Sequence, residues 1–267
     1  MSILNWFKPR PKKIGIALSG GATHGAAHVG VLRVLEREGV RPSVVTGTSA
    51  GAIIGAAYAA GVPVEHISQL FQEVRWPLLI RPAFRNLLGL FETGPLENFI
   101  SENIGGKTFE EMLIPFACVA TDLMTGEKIV FNSGPVAEAV RASAAFPGLF
   151  APVQYKDRLL VDGGVVDNLP ADIAHDMGAD YIIAVDLMSS IKLQQQPGNL
   201  IDVLWAVSNL MQIRSAVPDR KLMNCYLRPD VAEFSSWGFG ASGEVERRGA
   251  QAAEQALPQL RADLKLR

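Results

Sequence analysis

The chain has 267 residues, 48 % of them apolar, and a formal net charge of −2. Nothing in that charge favours a phosphate backbone or an anionic membrane surface, and the apolar share suffices for a substantial core. Two cysteines, Cys118 and Cys225, are too few for a disulfide framework and lack metal-ligand spacing. The N-terminal "MSILNWFKPRPKK" has no apolar core of signal-peptide length. No stretch approaches the ~20 apolar residues of a spanning helix, so a cytoplasmic protein is expected. Residues 1–12 read as a tail and 13–267 as one domain. Trp6 and Phe7, beside Lys and Arg, are a candidate peripheral membrane contact, against the alternative of a frayed tail.

In chain order, "KIGIALSGG" reads as a buried strand ending in glycines. "AAHVGVLRVLEREG" carries Ala27, Val31, Val34 and Leu35 at helical spacing and stops at Gly39. "PSVVTG" is the next strand, and "AGAIIGAAYAAG" a helix closed by Gly61 and Pro63. The apolar segment from Trp76 to Phe91 is broken by prolines and fits no clean period. It is a candidate acyl-chain groove or lid, with ordinary core plus loop as the alternative. The strands "PFACVATDL" and "EKIVF" follow, then a helix at "PVAEAVRASAA", the strand "RLLVDGG", a helix near "PADIAHDMG" and the strand "DYIIAVDL". "QQQPGN" at 194–199 reads as a linker or loop tip. Strands alternating with helices predict an α/β fold, a mostly parallel sheet covered by helices on both faces.

"VVTGTSAGAIIGAA" places Ser49 on a strand-to-helix turn between Gly47 and Gly51. A nucleophile often sits on such a turn, where small neighbours are a steric need and the helix N-terminus favours developing negative charge. The alternative is a glycine-rich turn whose Ser49 only caps the helix.

"LSGGATHGAAHVG" is a second glycine-rich strand-to-helix turn, with free N–H groups to offer an anion. No Gly-Lys-Ser/Thr follows, so it is not a P-loop, and the dinucleotide fingerprint is incomplete. If its strand lies beside that of Ser49, the loop can aim N–H groups at the serine's reacting carbonyl, as an oxyanion hole.

None of His24, His28, His66 and His175 follows a late strand in the manner of an α/β-hydrolase base. The better candidate is Asp162, which ends an apolar strand before Gly163 and Gly164. An exposed aspartate is a poor base; desolvation makes it a useful one. Asp167 and Asn168 read as turn residues.

Taken together, these motifs resemble the bacterial patatin-like phospholipase family over nearly the whole length. The family's Gly-Gly-Gly-x-Arg/Lys-Gly loop looks like Gly20-Gly21-Ala22-Thr23-His24-Gly25 here. Its Gly-x-Ser-x-Gly elbow looks like Gly47-Thr48-Ser49-Ala50-Gly51, and its Asp-Gly-Gly/Ala like Asp162-Gly163-Gly164. "RASAAFPGLFAP" and "RPDVAEFSSWGF" are also similar to family text. The resemblance implies a three-layer patatin-like fold and a lipid acyl hydrolase with a serine–aspartate dyad, needing no metal or cofactor. It implies Ser49 and Asp162 as catalytic residues and the N–H groups of Gly20, Gly21 and Ala22 as the oxyanion hole. The implied partner is a lipid or acyl-ester substrate, and no nucleic acid. Ala22 stands where the family has a third glycine, and an alanine there is strained if its φ is positive. His24 stands where the family usually has arginine or lysine. That cation would serve either to attract the intermediate's charge or to brace the loop by hydrogen bonds. A weakly active lipid-binding or regulatory protein, and a nucleotide-binding protein using the glycine loop, are the rival functions.

Overall fold

The computed structural model describes residues 12–83, 88–189, 196, 198–216, 220–236 and 238–266. Trp6, Phe7 and half of the "QQQPGN" stretch (194, 195 and 197) lie outside the described residues. β1 (Ile14–Leu18) leads through the glycine loop to α1 (Ala26–Arg37), and β2 (Val44–Thr48) through Ser49 to α2 (Ala50–Ala59). α3 (Val64–Glu73) and α4 (Trp76–Leu79) precede a small hairpin, β3 (Arg81–Pro82) with β4 (Phe91–Glu92), and then α5 (Gly94–Ile104). β5 (Phe116–Asp122), β6 (Lys128–Phe131), α6 (Val136–Ser143), β7 (Val153–Tyr155) and β8 (Arg158–Asp162) follow. The chain continues through α7 (Ala171–Asp176), β9 (Tyr181–Val185), α8 (Leu200–Ser215), β10 (Cys225–Leu227) and α9 (Ser242–Leu264).

The central sheet is mixed. β10, β9, β1, β2 and β5 lie side by side in parallel, while β6, β7 and β8 join antiparallel. The parallel strands are apolar on both faces, because helices cover both. Ile16 and Leu18 point into the larger core with α1, α2 and α9. Ala17, between them, points the other way, to a smaller core with Ala171 and Ala174 of α7. α1 and α9 approach so closely that a Cβ on Gly249 would stand 1.9 Å from the Ala27 carbonyl oxygen.

One register detail places the site. Cys118 and Val119 pair with β2 on one edge of β5 and with β6 on the other. Ala120 and Thr121 also pair with β6, and on their free edge with β8. So β2 and β8 share one edge of β5 and run toward each other along it. β2 ends with Thr48 opposite Val119, and β8 ends with Asp162 opposite the next residue, Ala120. The residue after β2 and the last residue of β8 must therefore meet head to head.

Candidate active site

Ser49 alone joins β2 to α2. Its φ of 52° and ψ of −118° lie outside the helical and extended regions, a conformation costing on the order of 1–3 kcal/mol. A Cβ on Gly47 would stand 2.4 Å from the Gly51 carbonyl oxygen, and one on Gly51 would stand 2.2 Å from that of Leu18. Only glycine lets strand, turn and helix close this tightly. The Ser49 N–H donates to Ser143 Oγ at 2.9 Å, which pins the turn. The Ser49 hydroxyl makes no capping bond to α2, so the capping alternative fails.

Asp162 is fully buried. Its N–H donates to the Ala145 carbonyl and its own carbonyl accepts from Thr121 Oγ1, both at 2.9 Å. Oδ1 accepts the Gly164 N–H at 2.8 Å, while Oδ2 is buried without a partner. Burial pushes this carboxyl up to about 6, and the Ser49 hydroxyl and Gly164 N–H act against the rise. The hydroxyl is thus close enough to favour the ionised carboxyl, while Oδ2 stays without a hydrogen-bond partner of normal geometry. A carboxylate in this range is ionised at neutral pH and basic enough to take a proton.

The glycine loop lies beside Ser49 because β1 and β2 are parallel neighbours ending together. One expectation needs correction. The Gly20 N–H is already occupied, shared between the Asn168 carbonyl and Asn168 Oδ1 at 3.2 Å each, so it is no free donor. Gly20 instead allows close approach: a Cβ there would lie 2.5 Å from Asn168 Oδ1 and 3.2 Å from Ser49 Cβ. Asn168 is therefore more than a turn residue; it fixes the glycine loop to the segment after Asp162. Among the described residues, the N–H groups of Gly21 and Ala22 have no acceptor, and both residues line one pocket with Ser49. Ala50 lines it too, and its N–H opens α2, where no intrahelical acceptor exists. Ala22 has a φ of 51°, so the strain expected of an alanine there is present.

His24 is 1 % exposed, and its Nε2 donates to the Phe234 carbonyl at 2.9 Å. Burial holds its pKa below the ordinary imidazole value, and the Phe234 bond acts against that only in part. A neutral, enclosed ring supplies no charge to an oxyanion. It braces the loop, as do Thr23 Oγ1 on the Ser235 carbonyl at 3.0 Å and the Thr23 N–H on that of Ser236 at 3.3 Å. The "RPDVAEFSSWGF" stretch is the abutment for this brace. His28 is enclosed as well, with Nε2 on the Ser19 carbonyl at 2.8 Å and its pKa lowered to about 4 by burial. His66 and His175 are exposed, and no histidine lines the pocket of Ser49.

That pocket runs from Ser49 between α2, α3 and α5, walled by residues such as Ile53, Phe71, Leu96 and Phe99. Leu79 and Ile80 of the Trp76–Phe91 segment form part of the wall; residues 84–87 of that segment lie outside the described ones. No charged side chain among the described residues lines the pocket, so a nucleotide phosphate would find only backbone N–H groups there and no cation. Asn209 and Gln212 of α8 also line it. The sequence expectation had no helix there.

A strained serine on a strand-to-helix turn, a desolvated aspartate beside it and free N–H groups facing an apolar pocket define an arrangement for nucleophilic attack on a carbonyl. Residues 16–175 match the family model of the patatin-like phospholipases, and the chain belongs to that family. A patatin-like phospholipase domain-containing protein of Caenorhabditis elegans is 31 % identical over 92 % of this chain and 21 % of its own length. The neuropathy target esterase of Drosophila melanogaster is 32 % identical over 88 % of this chain and 19 % of its own length. The lysophospholipase of Pyricularia oryzae is 27 % identical over 94 % and 19 % respectively. The chain thus spans about a fifth of these relatives. Among solved structures, VipD of Legionella pneumophila shares the fold at a TM-score of 0.63 and 14 % identity, covering 94 % of this chain and 67 % of VipD.

Two stability predictions follow from the strain and the burial. Ala22→Gly removes the side chain from a left-handed position and should raise the melting temperature by about 2–4 °C, the shift of ~1 kcal/mol in a chain of this size. A calorimetric scan checks this; a lower melting temperature contradicts the strain at Ala22. Asp162 has a raised folded pKa, so folding favours its protonated form. Its stabilising share is present below the unfolded value and is lost as pH rises through about 6. Asp162→Asn should therefore melt several degrees above wild type at pH 8, by about 3 kcal/mol at ~1.4 per pKa unit. The gap should close at pH 4. An equal gap at both pH values contradicts the desolvated carboxyl.

Proposed function

We propose that the protein is a serine acyl hydrolase cleaving fatty-acyl esters of phospholipid or lysophospholipid type, with residues 13–267 acting as one catalytic domain. The observation that carries this reading is the buried, unpartnered Oδ2 of Asp162 at the end of the strand that meets Ser49 head-on. Ser49 Oγ attacks the acyl carbonyl while Asp162 takes its proton, and the N–H groups of Gly21, Ala22 and Ala50 hold the oxyanion. Asp162 passes the proton to the departing alkoxide and then takes one from the water that hydrolyses the acyl-serine. The acyl chain occupies the apolar pocket. Similarity to esterase and lysophospholipase relatives supports the substrate class.

The test is a fluorophosphonate, whose phosphorus bonds to the nucleophilic oxygen with loss of fluoride. Wild type should carry the label on Ser49, and Ser49→Ala should neither label nor turn over a short-chain aryl ester. Wild-type kcat/KM should rise with pH through about 6 and then level, because the unprotonated carboxylate is the base. Labelling at another residue, or undiminished turnover in Ser49→Ala, refutes the mechanism. Affinity for an acyl chain without product would mark the lipid-binding alternative.

Peripheral membrane contact belongs to the same reading. No helix among the described residues is long and apolar enough to cross a membrane. α8 exposes Val203, Leu204, Val207 and Leu210, and Leu78 beside the pocket wall is 58 % exposed. Leu78 adjoins Leu79 of the pocket wall and Leu204 lies against Gly148, between the lining Phe146 and Phe150, while Val207 and Leu210 continue the same apolar helix surface beside Val165, so a bilayer surface can meet this face while an acyl chain enters. Val207→Ser with Leu210→Ser should reduce co-sedimentation with phosphatidylcholine vesicles severalfold; unchanged binding assigns the contact elsewhere.

A further inference from the structure

α8 is tied to the turn after Asp162 through Ser215 Oγ, which donates to the Gly164 carbonyl at 2.7 Å. Gln212, three residues earlier, packs on the same turn: a Cβ on Gly164 would stand 2.8 Å from Gln212 Cγ. Asn209 is three residues earlier again, so the two amides share one helix face. Both line the Ser49 pocket, and they are only 4 % and 5 % exposed for Asn209 and Gln212. Neither side chain is hydrogen-bonded to another described residue, and neither amide is sealed away from the pocket space that both line. The pocket is mostly apolar, with Thr23, Asn103 and Ser236 as its other polar lining besides Ser49, so two carboxamides open to it are available to exchange water for a ligand's polar group.

What they face follows from the chemistry. Resting on the hydrolase reading, the acyl chain lies in the apolar pocket and the alcohol leaves on the side where Asp162 returns the proton. Gln212 packs on the Asp162 turn, so the amides flank the alcohol portion of the ester. No charged side chain among the described residues lines the pocket, so none of them pairs with a phosphate as an ion. A carboxamide both donates and accepts, which suits a neutral hydroxyl in either sense. We propose that Asn209 and Gln212 are specificity-determining residues that bind a free hydroxyl next to the scissile ester. The site thereby selects acyl esters of glycerol-like polyols over those of simple alcohols.

The experiment compares kcat/KM for a 1-monoacylglycerol and for the methyl ester of the same fatty acid. Wild type should prefer the monoacylglycerol. Gln212→Met and Asn209→Leu, made separately, should each lower the ratio of the two by about three- to tenfold, the effect of one hydrogen bond. A purely structural role lowers both rates together and leaves the ratio unchanged, which overturns the proposal. The same preference is read without turnover by displacement of a fluorescent fatty acid from Ser49→Ala protein, with and without Gln212→Met. If wild type shows no Ser49-dependent turnover, the hydrolase reading fails, and the displacement preference still decides the role of the amides. Equal displacement by the two esters overturns that role.

Discussion

The site depends on two strands that share one edge of β5 and run into each other. β2 occupies the edge as far as Val119, and β8 occupies it from Ala120 onward in the opposite direction. Backbone pairing alone then fixes where Ser49 and Asp162 stand, before any side-chain contact is counted. A Cβ on Gly163 would lie 2.2 Å from the Val119 carbonyl oxygen, so the turn after Asp162 lies flat against β5 where β2 stops. Placement on rigid strands gives a closeness that two mobile loops could not hold.

That geometry is maintained against local cost. Ser49 and Ala22 both sit at positive φ, and Asp162 is desolvated. Each costs about 1–3 kcal/mol, a large part of the ~5–15 kcal/mol by which domains are stable. The surroundings over-determine the strained positions. Ser143 holds the Ser49 N–H, Thr121 and Ala145 hold the Asp162 backbone, and Asn168 ties Gly20 to the segment beyond Asp162. Strain and burial concentrated at one point, with anchors from three segments, suit a group that must stay unpaired until substrate arrives.

Much of this was legible in the sequence, for local reasons. The glycines around Ser49 and the apolar runs of β1 and β2 report backbone packing within a few residues, so the first β-α-β-α units and the elbow could be read directly. Asp162 could be read as a strand end. Its direction could not: "RLLVDGG" carries no sign of running antiparallel, and pairing partners are non-local. The engagement of the Gly20 N–H with Asn168 was hidden for the same reason, since 148 residues separate them. His24 was legible only as a departure from the family. Its burial against Phe234, a segment far along the chain, decides between charge and brace.

α8 escaped for a different reason. In "LIDVLWAVSNLMQIRS" apolar residues occur on every side, so no 3.6-residue period stands out. The structure explains the pattern, because the helix serves two apolar environments. Val203 and Val207 are exposed at the surface, while Leu204 reaches the loop at Gly148 near the pocket's Phe146 and Phe150. Among the described side chains of α8, the polar positions Ser208, Asn209 and Gln212 are the buried ones, the reverse of an ordinary amphipathic helix. Such an inversion is unfavourable for folding by itself. It becomes favourable where the buried polar groups meet the polar part of a substrate whose apolar part fills the pocket beside them.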